Sequence, residues 1–178
     1  MANNERYSAV SVALHWLIAL LIIAAFSLGW VMTDMKISPT KLQYYSYHKW
    51  IGVTVLALVA VRLLNRLLSQ APDYPAHMSV WQQKAASYTH LLLYVLMFAV
   101  PLSGYFYTCA AGYPVVYLGL FELPSVIAPN PEIKHSLKEL HEILTYGMAA
   151  LVLMHIAAAL KHQFIDKDGL LRRMMPGK

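Results

Sequence analysis

Polar and apolar positions along the chain separate into four long apolar stretches joined by short charged segments. Residues 7–33 carry no Asp, Glu, Lys or Arg, and VALHWLIALLIIAAFSLGWVM exceeds the roughly 20 residues that cross a bilayer. No small-residue cleavage site follows a short apolar core, so helix one is expected to be a retained span. A second span is expected from His48 to Leu68: only residues 50–61 are uncharged, and Arg62 and Arg66 must snorkel to the surface. The uncharged stretch 85–121 is too long for one helix and is interrupted by Pro101, Gly104, Gly112 and Pro114. This predicts helix three at about residues 86–108, followed by an aromatic loop. Helix four is expected from about Leu140 to Phe164, with TYGMAALVLMHIAAAL as its apolar body.

Composition agrees with this pattern. The 178 residues are 58% hydrophobic and 13% charged, with a mean hydropathy of +0.48, against about 25% charged residues in an ordinary soluble domain. Disordered chains and basic nucleic-acid-binding domains are excluded. The expected fold is an all-α, integral membrane four-helix bundle, a single domain over 1–178 with no internal repeat.

Lys and Arg are distributed unevenly between the two sets of connecting segments. The amino terminus, the 62–84 connection and the carboxyl terminus hold nine, and the opposite side holds Lys36, Lys41, Lys49, Lys134 and Lys138. Net charges are +5 and zero, so both termini are expected to be cytoplasmic. Helices one and three then run outward, and two and four inward.

The single thiol, Cys109, excludes a disulfide, a thiolate zinc site, an iron–sulfur cluster and covalently attached haem. Eight histidines remain, and His15, His90, His141 and His155 lie in or beside strongly apolar sequence, where an ionisable group is costly. His141 and His155 are fourteen residues apart, a phase difference of about −40° and a rise of about 21 Å on one helix. By depth, His48 partners His141 on the outer side and His15 partners His155 on the inner side. Imidazole suits zinc, copper and iron alike. Zinc normally takes three or four protein ligands, and a di-iron site would need carboxylates that the spans lack. Small neighbours, Gly52, Gly147 and Ala157-Ala158-Ala159, suit a flat macrocycle between helices, which points to two b-type haems. The competing interpretation of any single intramembrane histidine is a helix–helix hydrogen bond.

His90 competes with His15 by depth and is otherwise a packing or propionate-side residue. His162, seven residues past His155, is expected at the inner surface beside a quinone, with Arg62 and Arg66 near haem propionates or an anionic partner. Lys49 and Lys138 flank the outer pair and are candidates for steering a small anion. His77 and His135 are expected to be solvated. Tyr44, Tyr45, Tyr47 and Trp50 are expected to form an interfacial belt, and Met148 to pack.

SVALHWL in helix one, WQQKAASYTHLLLYVLMFAVPLSGY through helix three, and LHEILTYGMAALVLMHIAAALKHQF followed by DKDGLLRRMMP carry a resemblance. The chain resembles the prokaryotic cytochrome b561 family of small inner-membrane dihaem proteins. The resemblance implies an inner haem between His15 and His155 and an outer haem between His48 and His141. In stand-alone members it implies oxidation of superoxide at the periplasmic face and reduction of ubiquinone near the cytoplasmic haem. The family is also similar to the cytochrome b subunits of hydrogenases and formate dehydrogenases. One departure is His162-Gln163, which stands where the family often carries a His-His pair. The expected partners are therefore the lipid bilayer, a quinone and a small anionic donor such as superoxide, with no nucleic acid. Two rival readings remain: a haem subunit relaying electrons from a docked dehydrogenase to quinone, and a histidine-lined metal transporter or structural membrane protein without haem.

Overall fold

Each helix begins where a side chain replaces the missing carbonyl partners of the first turn. In the computed structural model, which describes residues 6–75 and 78–177, Ser8 caps α1 (Ala9–Asp34), its Oγ accepting from Ser11 N–H at 3.2 Å. Ser38 caps α2 (Pro39–Leu68), and Asn130 caps α4 (Pro131–Lys161), each with proline in the first turn, where no backbone donor is needed. Ser79 and Gln82 form a reciprocal capping box at the start of α3 (Val80–Ala110). The result is the expected all-α membrane bundle of four long apolar helices. His77, together with Glu5 and Lys178 of the charge distribution, lies outside the described residues.

Five helix boundaries differ from expectation. Helix two begins nine residues before His48, and helix four nine residues before Leu140. Helix three starts at Val80 and continues through Pro101 and Gly104 to Ala110. Charged residues limit how much helix lies in hydrocarbon, but not where the helix itself ends; the caps decide that. Pro101 removes the donor that would meet Met97 O, and helix three nonetheless runs through it; at the residue before the proline, Ser103 Oγ donates to Val100 O at 2.8 Å and His141 Nδ1 reaches the same carbonyl at 3.0 Å. Helix four stops at Lys161, and its last turn widens into a π-helical turn over His162–Asp166.

The aromatic loop is instead an ordered hairpin. Strands β1 (Val115–Tyr117) and β2 (Phe121–Leu123) pair antiparallel. Leu118 and Gly119 both adopt positive φ in the turn between them, the combination that matches strand twist. Trp50 Nε1 donates to Val116 O at 2.6 Å, Thr54 Oγ1 bonds Tyr117 Oη at 2.8 Å, and Tyr105 Oη donates to Pro124 O. The hairpin is thereby tied to one end of α2 and α3.

At the opposite end the two termini meet. Trp16 Nε1 donates to Met174 O at 2.7 Å, and the Arg6 guanidinium donates to Arg172 O at 3.1 Å. Helices α1 and α2 pack as one antiparallel pair and α3 and α4 as another, with α2 against α3. Ile18, Val55, Val59, Met97 and Met148 form the buried core at mid-bundle. Most other apolar side chains, such as Leu20, Leu91 and Leu153, face outward, as a lipid solvent requires.

Candidate functional site

Above the core, at the hairpin end, α2 brings His48 to face His141 of α4. Their ring centroids are 6.2 Å apart and their planes 89° from parallel. Both rings are held from behind. His48 Nδ1 lies 2.9 Å from Ala25 O, and His141 Nδ1 lies 3.0 Å from both Val100 O and Ser103 Oγ. A carbonyl only accepts, so each Nδ1 carries the proton and each Nε2 is left as a metal-binding lone pair. Glycine makes room for this approach: a Cβ on Gly104 would sit 2.9 Å from His141 Cε1, and one on Gly29 would sit 3.4 Å from His48 Cε1. A mostly apolar cavity opens between the rings, lined also by Phe26, Gly52, Pro101 and Thr145. Thr145 Oγ1 is buried there without a hydrogen-bond partner among the described residues.

Below the core, His15 of α1 faces His155 of α4 with centroids 6.4 Å apart and planes at 80°. His15 Nδ1 is buried with no hydrogen-bond partner among the described residues. His90 of α3 also approaches His155, at 5.4 Å. Arg62 lies within electrostatic reach of all three rings, and its guanidinium carbon sits 5.7 Å from the centroid of Tyr94.

The spacing of the rings tests whether an iron porphyrin fits. Two imidazoles binding one metal through Nε2 from opposite sides, with bonds of about 2.0–2.1 Å, have ring centroids about 6.3 Å apart. The pairs at 6.2 and 6.4 Å match that value. His90 at 5.4 Å is too close to His155 to share a metal with it in this way. The donor set, the open cavity beside Gly52 and the orphaned Thr145 hydroxyl all suit a bound macrocycle.

Of the remaining expected site residues, Lys49 is half-buried and its ammonium donates to Pro114 O at 3.0 Å, so it anchors the hairpin as well as carrying charge. Lys138 is exposed on α4 and pairs with Glu142 at 2.7 Å. His135 is solvent-exposed as expected, on the first turns of α4 and 3.5 Å from Glu139. His162 opens the π-helical turn; its Nδ1 meets Asp168 Oδ2 at 2.5 Å and Asp166 Oδ2 at 3.1 Å, and the Asp168 side chain is only 2% exposed. Met148 packs in the core and lines the hairpin-end cavity.

The family model described as prokaryotic cytochrome b561 matches residues 6–177. The chain belongs to the prokaryotic cytochrome b561 family. It is 36% identical to cytochrome b561 homolog 2 of Escherichia coli K12, over 96% of this chain and 92% of that protein. It is 33% identical to cytochrome b561 homolog 1 of the same organism, over 97% and 98%. A Yersinia pestis protein named probable superoxide oxidase CybB is 28% identical over 98% of both chains. As a member of that family the chain is a multi-pass bacterial inner-membrane protein that binds b-type haem and carries electrons across the bilayer.

Three residues that contact the candidate histidines were not anticipated from sequence: Ser103 and Gly104, which hold and admit His141, and Asp168, which holds His162. Ser103-Gly104 had a visible signal, a small polar pair inside an apolar span. Asp168 had none, since its contact depends on the π-helical turn.

Proposed function

We propose that this cytochrome b561 holds two b haems, one between His48 and His141 and one between His15 and His155. With them it oxidises superoxide at the periplasmic, hairpin-end face and reduces ubiquinone near His162 and Arg62 on the cytoplasmic side. The observation that carries this reading is the pair of 6.2 and 6.4 Å ring separations, stacked on one helix about 21 Å apart by rise. Bound haem supplies reversible one-electron chemistry within a low-dielectric bundle. The Lys and Arg excess at the termini end supports a cytoplasmic location for both termini. The name of the Yersinia relative supports superoxide as donor.

The chain's own residues have separate roles. Ala25 O and Val100 O fix the tautomer and direction of the outer imidazoles. Lys49 supplies positive potential beside His48, where an anion arrives. Asp168 accepts His162 Nδ1–H, which leaves Nε2 as the acceptor available to a quinol hydroxyl. Two superoxide anions yield two dioxygen molecules, and one ubiquinone takes up two electrons and two protons, the latter from the cytoplasmic side.

The test is the haem-to-protein ratio of the purified chain, alone and with His141→Ala, alongside ubiquinone reduction driven by superoxide. A ratio near two that falls to about one supports the paired sites. An unchanged ratio removes His141 from its role. A dihaem chain inert towards superoxide favours the subunit that relays electrons from a partner dehydrogenase.

A further inference from the structure

The two histidine pairs match in spacing but not in surroundings. Both rings of the hairpin-end pair give their Nδ1 proton to a backbone carbonyl, and His141 has Ser103 Oγ as an additional partner. Ser103 is 4% exposed and its hydroxyl is itself held by Val100 O, so the arrangement is fixed within the helix. At the termini-end pair His15 Nδ1 is buried with no partner, and no hydrogen bond reaches the His155 ring, among the described residues. The charges differ as well. Arg62 lies within electrostatic reach of His15, His90 and His155, and Arg66 within reach of His90. Near the hairpin-end pair, Glu142 acts on His141 but is paired with Lys138 at 2.7 Å, and Lys49 keeps its charge at the surface, held by Pro114 O, without being among the groups that act on the His48 or His141 ring.

Both differences act in the same direction on a one-electron centre. An imidazole whose Nδ1–H is donated to a carbonyl is more basic, and a more basic ligand favours the oxidised, more positive metal. A nearby guanidinium favours the reduced state, which carries one positive charge fewer. We propose that the hydrogen bonds behind His48 and His141, together with the Arg62 charge near His15 and His155, set the hairpin-end centre at the lower potential. Electron transfer towards the termini end is then downhill by construction, and the asymmetry resides in Ser103, the Ala25 and Val100 carbonyls and Arg62. This rests on the two-haem reading above.

The experiment is a redox titration followed by visible absorbance on the haem-loaded protein in detergent. Wild type is expected to give two components. His48→Ala should keep only the higher component, and His15→Ala only the lower. Two conservative variants retain every ligand: Ser103→Ala should move the lower component upward and leave the higher in place, and Arg62→Gln should move the higher downward and leave the lower in place. A reversed assignment in the histidine variants, or a Ser103→Ala titration in which the lower component stays or falls, overturns the proposal even if the haem ratio is two. A wild-type ratio of one overturns the two-haem reading and the potential step together.

Discussion

The imidazoles of His48 and His141 stand almost perpendicular, 89° between planes with centroids 6.2 Å apart, and His15 and His155 repeat the arrangement at 80° and 6.4 Å. Each outer ring is prevented from rotating by a hydrogen bond behind it, so the crossed geometry is a property of the helices. Were a ferric haem held between each pair as proposed, perpendicular imidazole planes would leave the two iron dπ orbitals nearly degenerate, where parallel planes would split them. Frozen ferric protein is therefore expected to show strongly axial low-spin EPR signals with a large principal g value. A rhombic signal for both centres would contradict the ring orientations.

Gly104 is a site of close approach. A methyl there would lie 2.9 Å from His141 Cε1 and 3.1 Å from Nδ1, and the ring cannot retreat without giving up Val100 O. Gly104→Ala should cost about 1–3 kcal/mol by overpacking and, on the two-haem reading, lower the haem-to-protein ratio by about one. Pyridine haemochrome assay and a thermal melt measure both effects.

Gly52 is the opposite case, since a Cβ there meets nothing within 4 Å and the residue lines the hairpin-end cavity. Gly52→Leu should fill that space with apolar volume, leaving the helical content and expression level intact while haem content falls by about half. Full haem occupancy in this variant would place the macrocycle elsewhere.

Lys49 and Lys138 should not be equivalent. Lys138 shares its charge with Glu142, while Lys49 has only the Pro114 carbonyl. Lys49→Gln is expected to slow the second-order reaction with superoxide by roughly threefold at low salt and to weaken its salt dependence, with a smaller effect from Lys138→Gln. Pulse-radiolysis rates across an ionic-strength series would check the order of the two.

Asp168 positions His162 by accepting its Nδ1 proton at 2.5 Å and accepting Leu170 N–H at 3.0 Å on its other oxygen. Asp168→Asn should lower ubiquinone reduction about tenfold or more, while haem reduction by superoxide at the far face is unchanged. Equal losses in both half-reactions would assign Asp168 a purely structural role.

The apolar runs, the unequal Lys and Arg distribution and the fourteen-residue spacing of His141 and His155 are local properties of the chain, and they determined the four-span fold and the idea of two stacked sites. Helix ends were less legible because hydrocarbon depth and helix length are different quantities: Ser38, Ser79 and Asn130 extend helices into layers where charge is allowed. Only the tertiary structure decided which histidines meet. His15 and His90 are indistinguishable by depth, yet the ring of one lies 6.4 Å from that of His155, the spacing of two imidazoles on opposite sides of one metal, and the ring of the other 5.4 Å, which is shorter than that spacing. That distinction depends on how α1 and α3 are rotated against α4, and rotation is set by packing around Ile18, Val59 and Met97, which no periodicity within a single helix encodes.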